Sequence, residues 1–306
     1  MLNNDELNKQ KIAYINELSQ VAHLRNSIDF ELLDKIIAKY SSLFPKTLYK
    51  YVSTALPETM TSMANGELFL KTPRYLNDPC ECPLVIDMDS LTELSTQGLI
   101  IPNLSNNKFH NMLSINACKT MFPTIYKDTL DKNQKDAAID AKQQMEYIRN
   151  RLFIGSLSAR KNSMLMWSHY SNSHKGFCLG YDVKSLINTH KYLLLPVIYS
   201  DTIPYIDPKA AITTNVLPLI SIATKSKDWS YEEEWRIVDF SKDINEQRDK
   251  ITIILPKPTE LLFGSQMSKE LRKQLKPIAK KLAKGITCKW MKLKDNTFIL
   301  EDIILS

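Results

Sequence analysis

The spacing of apolar residues divides the chain into a helical beginning and a longer part that mixes strands with helices. Before Pro45, apolar residues recur every three or four positions, as at Ile12, Ile15 and Leu18, which predicts two amphipathic helices. The pattern changes abruptly after this proline. The sequence therefore predicts a helical extension over residues 1–45.

The rest of the chain carries both periodicities. Helical spacing predicts helices over residues 57–65, 131–152 and 268–284. Short runs rich in β-branched and aromatic residues predict strands at 47–53, 68–70, 153–158, 177–182, 193–199, 232–240, 251–255, 288–293 and 298–305. Residues 88–125 have few periodic cues and are read as an irregular helical insertion. This mixture predicts an α+β domain over residues 46–306.

The stretch with the most distinctive chemistry is WSYEEEWR, residues 229–236, in which three carboxylates lie between aromatic side chains. On a strand, Glu232, Glu234 and Arg236 share one face, and Glu233 points to the other. Glu232 and Glu234 would then be roughly 7 Å apart and would raise each other's pKa unless Arg236 intervenes. Such a trio can bind ribose hydroxyls or stabilise a developing positive charge. A solvated edge strand with a local ion pair explains the same residues.

The composition is typical of a globular protein and argues against several other classes of protein. The 306 residues are 43% hydrophobic, which supports a full core, and the net charge of +6 is spread along the chain, with a local excess on the basic helix 268–284 that is typical of a solvated face. Five cysteines and five scattered histidines predict neither a disulfide framework nor a metal site. The absence of a long apolar run and of a secretion signal predicts a cytoplasmic protein without a membrane span.

A second polar cluster is MWSHYSNSHKG, which contains His169 and His174. Its histidines could form a phosphate-binding or acid–base group on a loop. Alternatively, Trp167 and Tyr170 fill the core while the polar side chains hydrogen-bond a tight turn. The turn Asn77–Pro79 poses the same choice between capping the backbone and facing a pocket.

Taken together, the motifs resemble the DUF2971 family, a bacterial family defined by sequence and without known function. The resemblance covers roughly residues 46–265. It rests on the segments LYKYVS, FLKTPRYLNDPCE, GSLS, MLMWSHYSNSHKGFCLGYD and KSKDWSYEEEWRI. The family alone implies no reaction.

A weaker resemblance points to the ADP-ribosyltransferases. The segment LYKY, followed by a helix and ELFLKTP, is similar to the opening of those enzymes, with Lys50 in the place of their basic NAD-binding residue. GSLS, with Ser156 and Ser158, is similar to their Ser-Thr-Ser strand, and Glu232-x-Glu234 to their Glu-x-Glu motif. The resemblance implies a split, mostly antiparallel central sheet with flanking helices, and NAD as the substrate.

The same resemblance implies a division of roles. Glu234 would stabilise the oxocarbenium-like cation that forms when nicotinamide leaves ribose, and Glu232 would orient or deprotonate the acceptor. The residues expected to bind NAD are Lys50, Tyr51, Ser156, Ser158, Trp167, Tyr170, His174 and Arg236.

Other functions stay open at this point. The histidines, lysines and glutamates beside a basic helix are compatible with a metal-independent nuclease, or with a non-catalytic module that binds a ligand or a protein. No P-loop, dinucleotide-binding glycine turn or HExxH motif is present. By analogy, transferase-like bacterial proteins of this kind serve as toxins or phage-defence effectors. The expected partner is a nucleotide, and the sequence identifies neither the protein or nucleic-acid acceptor nor the oligomeric state.

Overall fold

The computed structural model of the chain describes residues 4–21, 29–53, 56–78, 80–83, 85–86, 124, 127, 150, 152–189, 192–206, 219–240, 249–282 and 285–304. Within them the α-helices are α1 (Asn4–Val21), α2 (Phe30–Lys39), α3 (Pro57–Ala64), α4 (Met164–Tyr170), α5 (Val183–Ile187), α6 (Leu219–Ile222) and α7 (Lys269–Leu282). Short 3-10 helices span Ser41–Leu43, Pro73–Tyr75 and Lys227–Glu232. The predicted helix over 131–152 and the insertion over 88–125 fall almost entirely outside the described residues. None of the described helices is both long and apolar enough to cross a lipid bilayer.

The strands are short and numerous. They are β1 (Thr47–Val52), β2 (Glu67–Lys71), β3 (Val85–Ile86), β4 (Leu152–Ser158), β5 (Phe177–Asp182), β6 (Leu193–Pro196), β7 (Ile198–Ser200), β8 (Tyr205–Ile206), β9 (Thr224–Ser226), β10 (Glu234–Phe240), β11 (Lys250–Ile254), β12 (Glu260–Phe263), β13 (Thr287–Leu293) and β14 (Leu300–Ile304).

Ten of these strands form one sheet in the order β11-β2-β4-β1-β5-β12-β13-β14, with β10 paired to β4 and β6 paired to β10. Every described pairing in this sheet is antiparallel except β12 with β13. Two small parallel pairs, β3 with β8 and β7 with β9, lie apart from it. The predicted α+β class, with a large mostly antiparallel sheet and helices, is confirmed.

The N-terminal helices pack on this sheet. Tyr14, Ile15, Leu18 and Val21 of α1 are each at most 1% exposed and belong to the main hydrophobic core. The Tyr14 hydroxyl also donates to the carbonyl of Leu194 on β6. The helices over residues 4–39 therefore share the core of the sheet, and the boundary at residue 45 stays a prediction.

The sheet opens beside β4, and this opening positions the site. On one side of β4, Lys71 of β2 pairs with Ile154, and Tyr49 of β1 pairs with Ser158. Ser156 lies between these two contacts. On the other side, β10 pairs with β4 along all seven of its residues. The gap between β1 and β2 therefore exposes the middle of β4.

The strand predicted from residue 232 begins only at Glu234. Residues before it form the 3-10 helix Lys227–Glu232, which the Ser226 side chain caps. Glu233 then adopts a left-handed conformation with φ of 43°, which redirects the chain into β10. The predicted period-2 relation between Glu232 and Glu234 is wrong for this reason. The two carboxylates still meet, but through a shared lysine rather than along a strand.

The sequence predicts a solvated basic face on α7, but the structure shows that this face is only partly solvated. Lys269 and Lys273 are exposed. The Arg272 guanidinium, however, lies 3.7 Å from the centre of the Trp290 ring and donates to the carbonyl of Met267. Arg272 therefore packs against Trp290 as well as carrying a positive charge.

Candidate functional site

A cavity of about 280 Å³ lies at the opening between β1, β2 and β4. The 3-10 helix Lys227–Glu232 and the start of β10 close its far side. Seven of the ten residues predicted for the site line this cavity, namely Lys50, Tyr51, Ser156, Ser158, Tyr170, Glu232 and Glu234. Residues from four separate segments of the chain therefore meet at one place.

The other three predicted residues do not line the cavity. Trp167 is fully buried, packs edge-on against the ring of Tyr51 and donates its indole N–H to the carbonyl of Lys161. It therefore fills the core, as the alternative interpretation had it. Arg236 is also fully buried and binds Glu234 from behind. His174 lies in the turn that follows α4.

The turn around His174 gives this histidine a structural role. Asn172, Ser173 and His174 all have positive φ angles, between 47° and 65°. The His174 ring is hydrogen-bonded to the hydroxyls of Ser168 and Ser265, at 3.1 and 3.4 Å. Burial lowers its pKa. These contacts favour a neutral histidine that holds the turn.

Behind the cavity lies a buried cluster of charges. It contains three carboxylates and two cations, each at most 4% exposed: Glu81, Lys225, Glu232, Glu234 and Arg236. Lys225 Nζ lies 2.8 Å from Glu232, 3.3 Å from Glu234 and 3.5 Å from Glu81. Because buried charges persist only when they are paired, this cluster is an interdependent unit.

Arg236 supplies the second cation of the cluster. Its Nε and Nη2 donate to the two carboxylate oxygens of Glu234, at 3.1 and 3.2 Å, and Nη2 also donates to Glu81 at 2.7 Å. Its Nη1 donates to the carbonyl of Ile222 at 2.6 Å. Burial lowers the pKa of Arg236, but the charges of Glu234 and Glu81 outweigh it and raise that pKa.

The two cavity-lining carboxylates have opposite environments. Burial opposes ionisation of Glu234, but Arg236 and Lys225 outweigh it and hold its pKa at about 2. A side-chain hydrogen bond from Ser156 acts in the same direction. Burial raises the pKa of Glu232, and Lys225 only partly offsets this. The environment of Glu234 thus favours its anionic form, whereas the environment of Glu232 shifts its pKa in the opposite direction.

Polar residues at the cavity wall hold Glu232. The Tyr170 hydroxyl donates to Glu232 Oε1 and accepts from the Asn77 amide at 2.8 Å. Asn77 also lines the cavity, so it faces the pocket as well as belonging to the turn. Ser158 Oγ donates to the backbone carbonyl of Glu232. Tyr170 and Ser158, both expected to bind NAD, therefore also fix the position of Glu232.

Lys50 is the cation on the opposite wall. Its Nζ donates to the carbonyl of Ser156 at 3.0 Å. Burial lowers the pKa of Lys50, the charge of Glu234 opposes this shift, and Lys71 adds to it. Lys50 is thus in the field of Glu234 without pairing to it, which leaves it available to an anionic ligand group.

Sequence reasoning missed Lys225 and Glu81, which complete the charge cluster. Both lie in segments that carry the family resemblance, KSKDWSYEEEWRI and FLKTPRYLNDPCE, yet nothing in their spacing relates them to Glu234. The described residues contain no group of three or more histidine, cysteine or acidic side chains suited to a metal ion. The carboxylates of the cluster are bound by lysine and arginine instead.

Comparisons with known proteins bear on this same part of the chain. No curated protein and no solved structure gives a significant match. One family model does match, over a segment that includes most of α4, the turn at His174, Lys225, both cavity glutamates and Arg236. Residues 166–237 match the model of the DUF2971 family, described as a protein of unknown function, and the resemblance read from the sequence is confirmed over these residues.

Proposed function

We propose that the cavity binds the nicotinamide–ribose end of NAD and that the chain is an NAD-dependent ADP-ribosyltransferase. The observation that carries the proposal is the convergence of Lys50, Ser156, Glu232 and Glu234 on one cavity. These residues come from three motifs that are far apart in sequence. An unrelated set of surface residues would have no reason to converge in this way.

The electrostatics of the two glutamates support separate roles. A carboxylate that stays ionised is suited to stabilise an oxocarbenium-like cation, and Glu234 has a pKa of about 2. A carboxyl whose pKa is raised is suited to accept and return a proton, and Glu232 has this property. Two carboxylates with pKa values pushed apart are typical of sites that use one as an anion and the other as a base.

The proposed reaction needs no metal or redox partner. The bond between ribose C1′ and the nicotinamide nitrogen breaks, and its electron pair leaves with nicotinamide, which becomes neutral. Glu234 stabilises the cation left on the ribose. A nucleophilic oxygen or nitrogen of the acceptor then bonds to C1′, and its proton passes to Glu232. Water in the place of the acceptor gives hydrolysis.

The proposal places the protein in the cytoplasm, where NAD is abundant. Depletion of NAD or modification of an acceptor would harm a cell, which makes a toxin or phage-defence effector the natural biological setting. The acceptor, a protein or a nucleic acid, is left to experiment.

The test is nicotinamide release from NAD by the purified protein, with and without cell lysate as a source of acceptor. Glu234→Gln should reduce release by roughly 10²–10³-fold. Glu232→Gln should reduce transfer to the acceptor more than hydrolysis by water. Glu233→Gln is the matched control, because Glu233 is exposed and outside the cavity, and it should leave both activities unchanged.

The Glu234→Gln variant should fold. With all groups ionised, the cluster has three carboxylates and two cations, and the substitution leaves two of each. A loss of activity in a folded variant then reports on chemistry. If the wild-type protein neither binds NAD nor releases nicotinamide, with or without lysate, the proposal is wrong.

A further inference from the structure

The mouth of the cavity carries two lysines directly opposite each other. Lys71 ends β2 and Lys250 begins β11, and they are register partners in an antiparallel pair. Both are exposed, and Lys71 lines the cavity. Like charges in directly opposed positions destabilise a sheet. The pair is therefore a cost to the fold that a bound anion would relieve.

No carboxylate neutralises this pair among the residues that the structure describes. Neither lysine has an ion-pair partner there. Asp249, which precedes Lys250, is hydrogen-bonded to the Tyr75 hydroxyl instead. Among the described residues, Lys71 and Lys250 thus present two positive charges outside any ion pair at the mouth, which match the two negative charges of a diphosphate diester.

An aromatic surface lies beside the lysines. Phe69 is 45% exposed, on the same face of β2 as Lys71, and it lines the cavity. The Nζ of Lys250 lies 5.7 Å from the centre of its ring. Tyr75, which also lines the cavity, is 49% exposed. An exposed ring next to paired lysines is the combination that binds a base and its phosphates.

The size of the cavity indicates independently that part of a dinucleotide ligand would lie outside it. Its volume of about 280 Å³ lies just below the roughly 300–1,000 Å³ typical of pockets that enclose a whole ligand. A dinucleotide that placed one nucleoside inside would leave its diphosphate and second nucleoside at the mouth.

We propose that the mouth is a binding site for a nucleoside diphosphate group, with Lys71 and Lys250 on the phosphates and the base stacked on Phe69. The proposal rests on the proposed function for the identity of the complete ligand, NAD. The mouth itself is defined by residues that take no part in the proposed chemistry, so ADP alone tests it.

The experiment is calorimetric titration of the full chain with ADP, pyrophosphate and adenosine as separate probes. ADP should bind to the wild type. Lys71→Gln and Lys250→Gln should each weaken ADP and pyrophosphate about tenfold and leave adenosine unchanged. Phe69→Ala should weaken ADP and adenosine about tenfold and leave pyrophosphate unchanged. Lys273→Gln on α7 is the control and should change nothing.

Each outcome decides the question. Folding is checked by thermal unfolding, and Lys71→Gln should not lower the transition, since it removes a repulsion. Failure of the wild type to bind ADP, or a loss of affinity no larger than that of Lys273→Gln, overturns the inference. Nicotinamide release without ADP binding would leave the proposed function standing and reject the mouth site. ADP binding without nicotinamide release would support the mouth site and reject the proposed function.

Discussion

Arg236→Met removes one of the two cations of the buried cluster. Methionine keeps much of the side-chain length but has no charge and no donors. Glu234 loses both of its contacts with the guanidinium, and Glu81 loses a contact of 2.7 Å. The carbonyl of Ile222 loses its hydrogen bond as well. Of the two cations in the cluster, Lys225 then remains beside the three buried carboxylates.

Two arguments give the loss of stability expected for Arg236→Met. Removing one partner of a buried ion pair costs about 3–5 kcal/mol, because the remaining charge is uncompensated. The pKa of Glu234, held at about 2 instead of 4.5, corresponds to about 3 kcal/mol of stability. That contribution is fully present above pH 4.5 and is lost as the pH falls towards 2. Removing Arg236 therefore predicts a loss of about 3–5 kcal/mol at pH 7. This is of the same order as the stability of about 3 kcal/mol that Arg236, Lys225 and Ser156 together supply through the pKa of Glu234.

The assay is urea denaturation at pH 7 and pH 5. Without Arg236, burial should raise the pKa of Glu234, so the carboxyl can protonate at pH 5 and the deficit should shrink there. Arg160→Met is the matched control, because Arg160 is 43% exposed and contacts Glu233 only at 3.6 Å. It should cost less than about 0.5 kcal/mol. A loss of under about 1 kcal/mol for Arg236→Met, or an equal loss at both pH values, would refute the reasoning.

Two further predictions concern the cavity wall and the turn between α3 and β2. Tyr170→Phe removes a hydrogen bond that lowers the pKa of Glu232. The pH below which nicotinamide release declines should therefore rise. An unchanged pH profile of nicotinamide release would contradict the assigned contact. Gly66→Ala should destabilise the protein by about 1–3 kcal/mol, because φ is 98° and an added Cβ would lie 2.3 Å from a backbone carbonyl oxygen. Urea denaturation measures this loss, and a variant as stable as the wild type would contradict it.

The strands that frame the site were predictable because their sequences are short runs that contain β-branched and aromatic residues. The run 47–53 became β1, and the run 153–158 became β4, each within one residue. The helix predicted over residues 57–65 is α3, and Gly66 with its positive φ lies just beyond the C-cap of that helix. Local pattern fixes such elements because short-range propensity and burial agree there.

The detailed geometry of the charge cluster could not be predicted, since it depends on contacts between distant segments. Glu81 and Arg236 are 155 residues apart and meet only through the tertiary fold. The left-handed Glu233 also left no signal, because glutamate has no special preference for that conformation. Trp167 was expected to bind NAD, and its burial illustrates why aromatic residues alone do not define a binding site.

The most direct measurement is a crystal structure with an NAD analogue in which carbon replaces the nitrogen of the scissile bond. The account predicts the nicotinamide ribose inside the cavity, with a ribose hydroxyl within about 3 Å of Glu234 and the acceptor side of C1′ facing Glu232. An analogue bound elsewhere on the protein, or bound in the cavity with its ribose pointing away from both glutamates, would contradict the account.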